Sequence, residues 1–203
     1  MAEKRNGKQH RVVLTGGPGG GKTTAADLFR RELGDCVVIV PEAATLLFSG
    51  GFPRVTQSEA VLHSQKAIYC VQRQIEDVQA SIYPDRLLLC DRGTVDGGAY
   101  WPEKHGDFFS TVHSTIEEEL ERYDAVVFFE TAAAGGISIE GGNPIRSENI
   151  EEAVWLDRKL QSLWSQHPNY TFVGHQSSFF KKMTFGLAVI ENRVKELKLK
   201  QQI

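Results

Sequence analysis

The sequence predicts a three-layer α/β fold built on a five-stranded parallel sheet, and three observations predict it. Five short apolar runs recur along the chain: RVVLT (11–15), CVVIV (36–40), RLLLC (86–90), AVVFF (125–129) and TFV (171–173). They are unbroken rather than alternating, the pattern of strands buried on both faces. Helix-length segments separate them and supply the crossovers that parallel strands require. A glycine-rich turn joins the first run directly to the first helical segment.

Taken in order, residues 1–10 are polar and basic and read as a flexible arm; residues 11–203 read as one domain. After the second strand the chain continues as Pro41-Glu42-Ala43-Ala44. Residues 56–82 predict the longest helix, with Val61, Ile68, Val71, Ile75, Val78 and Ile82 as an apolar stripe and Tyr83-Pro84-Asp85 as its stop. Residues 107–122 predict a second helix, whose Glu117, Glu118 and Glu119 read as a solvated face. A third is expected from about Ser147 to Gln166 and a last one from about Ser177 to Leu199. In the last, Phe180, Met183, Leu187, Ile190, Val194 and Leu197 recur at helical spacing and are expected to dock on the sheet.

Composition narrows the function classes. At 203 residues and 41% hydrophobic, the chain can bury a core, which argues against intrinsic disorder. A net charge of -3 argues against nucleic acid or anionic lipid as a partner. Cys36, Cys70 and Cys90 lie among apolar residues without CxxC spacing, which predicts buried, reduced thiols rather than disulfides or a zinc site. No run is long enough to span a membrane, and the basic start lacks a following apolar stretch, so the cytoplasm is the expected compartment. No feature sets the oligomeric state.

The strongest signal is Gly16-Gly17-Pro18-Gly19-Gly20-Gly21-Lys22-Thr23, which fits G-x-x-x-x-G-K-(S/T) between a strand and a helix. Glycines let backbone N–H groups converge on phosphate where side chains would block approach. The following helix directs its free N–H groups to the same place. Gly17, Gly19, Gly20, Gly21, Lys22, Thr23 and Thr24 are therefore the expected triphosphate-binding residues. Lys22 supplies charge to the β- and γ-phosphates, and Thr23 a hydroxyl to Mg²⁺. The run RLLLC ends in Asp91, a Walker B pattern that makes Asp91 the expected carboxylate on the metal side, acting through water.

A phosphate loop names a ligand rather than a reaction. Neither the D-x-x-G nor the N-K-x-D element of Ras-like switches occurs, and a mechanical AAA+ machine needs a helical lid for which the chain leaves no room. A kinase needs an acceptor site, a base and arginines. At the carboxyl ends of the strands, where α/β sheets place such groups, Glu42 is the candidate base and Arg92 the candidate arginine. Asp96 is a candidate for binding the acceptor or a metal-bound water. The glycine-rich stretch 131–149 reads as a lid, with Arg146 as the residue expected to close over the γ-phosphate and Arg158 as a second candidate.

These residues carry a resemblance. TGGPGGGKTT, VPEAAT, LLCDRGTVDGGAYW and NPIRSENIEEAVWLDRKL, with the long helix between them, resemble the nucleotide- and nucleoside-kinase-like P-loop proteins. They are most similar to the compact AAA domain group related to the ribosylnicotinamide kinase half of the bacterial NAD regulator and the NTP-binding half of the TRPL translocation defect protein. The resemblance implies strand order 2-3-1-4-5, Asp91 beside the loop, Glu42 and Arg92 on the acceptor side and Arg146 in a lid. It also implies that the long helix covers the acceptor, which brings in Arg54, His63, Tyr69 and Arg73. Trp101 is a candidate for stacking on a flat acceptor.

The function expected from the sequence is Mg²⁺-dependent phosphoryl transfer from ATP, with GTP as the alternative donor, to a small hydroxyl-bearing acceptor such as a nucleoside or nucleotide. The competing expectation is an NTP-binding regulatory module with slow hydrolysis and no acceptor.

Overall fold

The computed structural model describes residues 9–135, 150–176 and 178–200. In chain order the elements are β1 (Arg11–Thr15), α1 (Lys22–Leu33), β2 (Val37–Val40), α2 (Ala43–Ser49), α3 (Ser58–Ile82), β3 (Leu87–Asp91), α4 (Gly97–Tyr100), α5 (Phe108–Thr111), α6 (Ile116–Glu121), β4 (Ala125–Phe129), α7 (Ile150–Trp164), β5 (Tyr170–Val173) and α8 (Phe179–Lys200). The five strands form one parallel sheet in the order β2-β3-β1-β4-β5.

Each apolar run serves two cores because successive side chains point to opposite faces. Val12, Leu14, Leu87, Leu89, Val127 and Phe129 meet Phe29 of α1 and Met183 and Ile190 of α8 on one face. Val13, Leu88, Cys90, Val126 and Phe128 meet Tyr69 of α3, Phe108 of α5 and Trp164 of α7 on the other. Leu88 and Leu89 are adjacent, fully buried and in different cores. Truncating either to alanine costs about 2–5 kcal/mol, the transfer term plus the cavity left behind.

The chain leaves β3 on one side of β1 and returns as β4 on the other. This opens a crevice at the carboxyl ends of β1, β3 and β4, where an α/β sheet takes its ligands. The glycine loop, the turn after β3 and the turn after β4 all project there.

The structure corrects several expectations. The face that α3 buries is mixed: Ser64, Tyr69, Gln72 and Glu76 are buried and Ile75 of the expected stripe packs against the core, while Val78 and Ile82 at its end are exposed. Residues 107–122 form two short helices, because His113 adopts a left-handed φ of 57° and Thr115 starts α6 with a capping box to Glu118. Glu119 is not solvated but buried, accepting from Tyr69 Oη at 2.6 Å and Ser114 Oγ at 2.8 Å. Cys70 is exposed and Cys36 half-buried, so only Cys90 is a core thiol. Phe180 faces outward, while Met183, Ile190 and Val194 dock α8. Ser147 and Ser177 lie outside the described residues. Among the described residues, no helix is long and apolar enough to cross a membrane.

Candidate functional site

The glycine loop leaves β1 through Gly16, whose φ of 131° and approach to β4 exclude a side chain: a Cβ there would lie 2.0 Å from the Phe129 carbonyl oxygen. It enters α1 through Gly21, in the left-handed region at φ 88°. Between them the loop wraps around Lys22, which is buried and donates from Nζ to the carbonyls of Gly16 (2.8 Å) and Gly17 (2.7 Å). These bonds hold the ammonium inside the loop's concavity. Gly20 N–H donates to Gly17 O at 3.3 Å and closes the turn. Thr23 and Thr24 occupy the exposed first turn of α1.

Thr23 Oγ1 donates to Asp91 Oδ2 at 2.8 Å, so the helix start and the end of β3 meet. Burial and the neighbouring Glu42 push the Asp91 carboxyl upward, against the pull of Lys22 and the Thr23 hydrogen bond. A hydroxyl and a carboxylate together at a phosphate loop are hard oxygen donors of the kind Mg²⁺ takes alongside phosphate and water. Among the described residues there is no cluster of three His, Cys, Asp or Glu that would hold a metal alone.

The turn after β3 brings the acceptor-side candidates together. Arg92 has φ 71°, uncommon for a side-chain-bearing residue, and its N–H donates to Leu14 O at 2.9 Å. Its guanidinium lies 2.6 Å from Glu42 Oε1 through Nε and 2.6 Å from Asp96 Oδ2 through Nη1. Burial works against this charge, but Tyr100, Glu42 and Asp96 outweigh it and hold the arginine above its ordinary pKa. Glu42 is the N-cap residue of α2, and its Oε2 accepts from Thr45 Oγ1 at 2.6 Å. Asp96 also accepts from Thr15 Oγ1 (2.9 Å) and Trp164 Nε1 (2.7 Å), which anchors the arginine's second partner to the core.

These groups open into a cavity of about 200 Å³. Glu42, Arg92 and Asp96 line its inner end, and Phe48, Tyr69 and Tyr100 its aromatic walls. Arg54, stacked 4.2 Å from the Phe48 ring centroid, also lines it.

The remaining candidates divide. Arg73 donates to Tyr69 Oη at 2.8 Å and orients that wall. His63 is exposed, 3.8 Å from Glu59, and Trp101 is a core residue that packs on Phe108 and donates to Gly106 O at 3.0 Å. Neither lines the cavity. Arg158 is exposed on α7, and Arg146 lies outside the described residues.

Three contributors escaped the sequence reading. Asp157 accepts from Gly17 N–H (2.7 Å) and Thr131 N–H (3.0 Å), tying α7 to the glycine loop. Lys182, on α8, donates to Gly20 O (3.0 Å) and Glu130 O (2.6 Å); burial lowers its pKa to about 8. Gln72, on α3, lines the cavity and accepts from Ala43 N–H. Each comes from a helix remote in sequence, and only the local string LDRK beside Arg158 hinted at one of them.

A family described as "AAA domain" matches residues 11–179, most of the chain. The chain belongs to the AAA domain family. No curated protein sequence matches it. Among solved structures, this AAA domain is similar to a deoxyadenosine kinase from M. mycoides with bound dATP, at TM-score 0.62 and 15% identity, covering 92% of this chain and 100% of that one. It is also similar to a thymidylate kinase from Ehrlichia chaffeensis, at TM-score 0.58 and 14% identity, covering 92% and 98%. At these identities the likeness establishes a shared P-loop kinase fold.

Proposed function

We propose that this AAA domain is a Mg²⁺-dependent phosphotransferase that moves the γ-phosphoryl group of ATP to a hydroxyl on a small acceptor. The observation that carries the reading is the Arg92 guanidinium, bound by Glu42 and Asp96 in a cavity that Pro18 of the glycine loop also lines. A hydrolase that positions only water has no use for a lined cavity at this point.

In this reading, the loop N–H groups and Lys22 hold the phosphates. Thr23, and Asp91 through water, would hold Mg²⁺, which supplies charge neutralisation across the β- and γ-phosphates. Glu42 takes the acceptor's hydroxyl proton as the acceptor oxygen bonds to the γ-phosphorus and the bond to the β-phosphate oxygen breaks, leaving ADP. Arg92 orients Glu42 and faces the charge spread over the transferring group. Two carboxylates against one guanidinium at the inner end favour a neutral hydroxyl over a phosphate as the acceptor. The aromatic walls favour a flat acceptor such as a nucleoside. The resemblance in fold to a deoxyadenosine kinase supports the same direction.

The test is turnover of ATP and GTP with Mg²⁺, alone and against a panel of nucleosides, nucleotides and vitamin precursors. Acceptor-stimulated diphosphate release, with phosphate recovered on the acceptor, is expected. Tight triphosphate binding with slow hydrolysis that no acceptor stimulates overturns the proposal in favour of an NTP-binding regulatory module.

A further inference from the structure

The polar part of the face that α3 buries is organised around Gln72. Its Oε1 accepts from the N–H of Ala43, the residue after Glu42, at 3.2 Å. Its Nε2 donates to Glu76 Oε1 at 3.1 Å and to the Arg92 carbonyl at 3.4 Å. The amide has one consistent orientation, since the Ala43 N–H only donates while the carboxylate and carbonyl only accept.

Glu76, wholly buried, is the anchor. It accepts from Tyr123 Oη at 2.8 Å and from Arg122 Nη2 at 2.8 Å. Tyr123 Oη in turn accepts from Thr94 N–H at 2.8 Å, two residues beyond Arg92. One side chain therefore bonds both turns that present the cavity's charged pair, and its anchor reaches a third point on the second turn.

The β2–β3 ladder does not do this itself, although β1 holds the Arg92 N–H through Leu14 O. The described register of β2 and β3 ends at Val40 and Cys90, before either turn begins. Glu42 and Arg92 lie beyond the ladder. Arg92 also sits at a left-handed φ, which is uncommon for a side-chain-bearing residue and persists where surrounding bonds hold it.

We propose that Gln72 is a positioning residue: anchored by Glu76, it clamps the two turns from the cavity wall and holds Glu42 and Arg92 in register as a pair. The consequence for rate rests on the phosphotransfer reading; the geometric consequence does not.

Two variants test it. Gln72→Met removes the amide at similar length. Ala43→Pro removes the N–H that Gln72 accepts and adds a ring at a buried position, the first helical one after an extended residue, where the backbone tolerates proline. Either variant keeps the test open if the other fails to fold. In both, kcat for acceptor phosphorylation is expected to fall about tenfold or more, since small misplacements of reacting groups are costly, with ATP affinity within about twofold. In a Glu42→Gln background the same changes are expected to cost several-fold less, because one of the two groups the clamp positions has already lost its role. A loss that multiplies equally in both backgrounds overturns the proposal.

The second readout needs no acceptor. The Arg92 Nε–H signal in NMR, protected by Glu42 in the wild type, is expected to shift and exchange faster in either folded variant, with the Trp101 Nε1–H signal, bonded to Gly106 O outside this network, as the internal control. An unchanged Arg92 signal overturns the clamp. If no acceptor stimulates the wild type, the phosphotransfer reading fails by itself and this signal alone decides the role of Gln72.

Discussion

Arg92 and Glu42 lie fifty residues apart in sequence and 2.6 Å apart in space, Nε to Oε1. The pair joins the turns after β2 and β3, neighbours in the sheet, at the inner end of the cavity. Asp96 holds the other side of the same guanidinium, so Arg92 is fixed between two carboxylates. Such an arrangement offsets the cost of burying the guanidinium and fixes its position at the end of the cavity.

Replacing Glu42 by glutamine preserves its shape while removing its basicity. Acceptor phosphorylation is expected to fall on the order of a hundredfold or more, with ATP affinity nearly unchanged. Steady-state turnover and equilibrium titration separate the two effects. Full turnover in the variant would remove Glu42 from the chemistry.

Lys22→Ala removes the ammonium that the Gly16 and Gly17 carbonyls hold within the loop. Triphosphate binding is expected to weaken at least tenfold, roughly the worth of one charge-assisted hydrogen bond. Isothermal titration with ATP and Mg²⁺ measures it directly. Normal affinity would contradict the reading of the loop as a phosphate site.

Lys182 makes stability depend on pH. In the fold its amine titrates near 8, against an ordinary value of 10.5, because burial disfavours the charge. Between these values the unfolded chain binds more protons than the folded one, so raising the pH from 8 to 10.5 stabilises the fold. Relative to Lys182→Met, the wild type is expected to gain up to about 3 kcal/mol across that window, read from denaturant melts at a series of pH values. A difference that stays flat or narrows would show that the carbonyls of Gly20 and Glu130 compensate the buried charge.

His113 sits at φ 57° between α5 and α6, exposed, with its backbone N–H bonded to Ser110 O at 3.1 Å. Glycine takes this conformation without steric cost, although it loses more entropy on folding. His113→Gly is expected to add roughly 0.5–1 kcal/mol, raising the melting temperature by about 1–4 °C. A lower melting temperature would mean that the imidazole supports the turn.

The sequence by itself determined the sheet and the phosphate loop. Unbroken apolar runs such as RLLLC fit strands covered on both faces, and the glycine loop with Lys22 and Thr23 is a local element whose geometry follows from residue type and spacing. Glu42 and Arg92 were also legible, because an α/β sheet delivers the residues just past its strands to one edge.

Only the tertiary structure decided what stands behind them. The stripe ending at Val78 and Ile82 suggested an apolar inner face for α3, but Gln72 and Glu76 also face inward because the turns at Ala43 and Arg92, with Arg122 and Tyr123, offer them hydrogen bonds that water would otherwise supply. Glu119 is buried for the same reason, against Tyr69 and Ser114. Lys182 and Asp157 reach the glycine loop from helices far along the chain. Hydropathy records the cost of burying each group alone, whereas the partner that offsets this cost comes from elsewhere in the chain and exists only once the fold has formed.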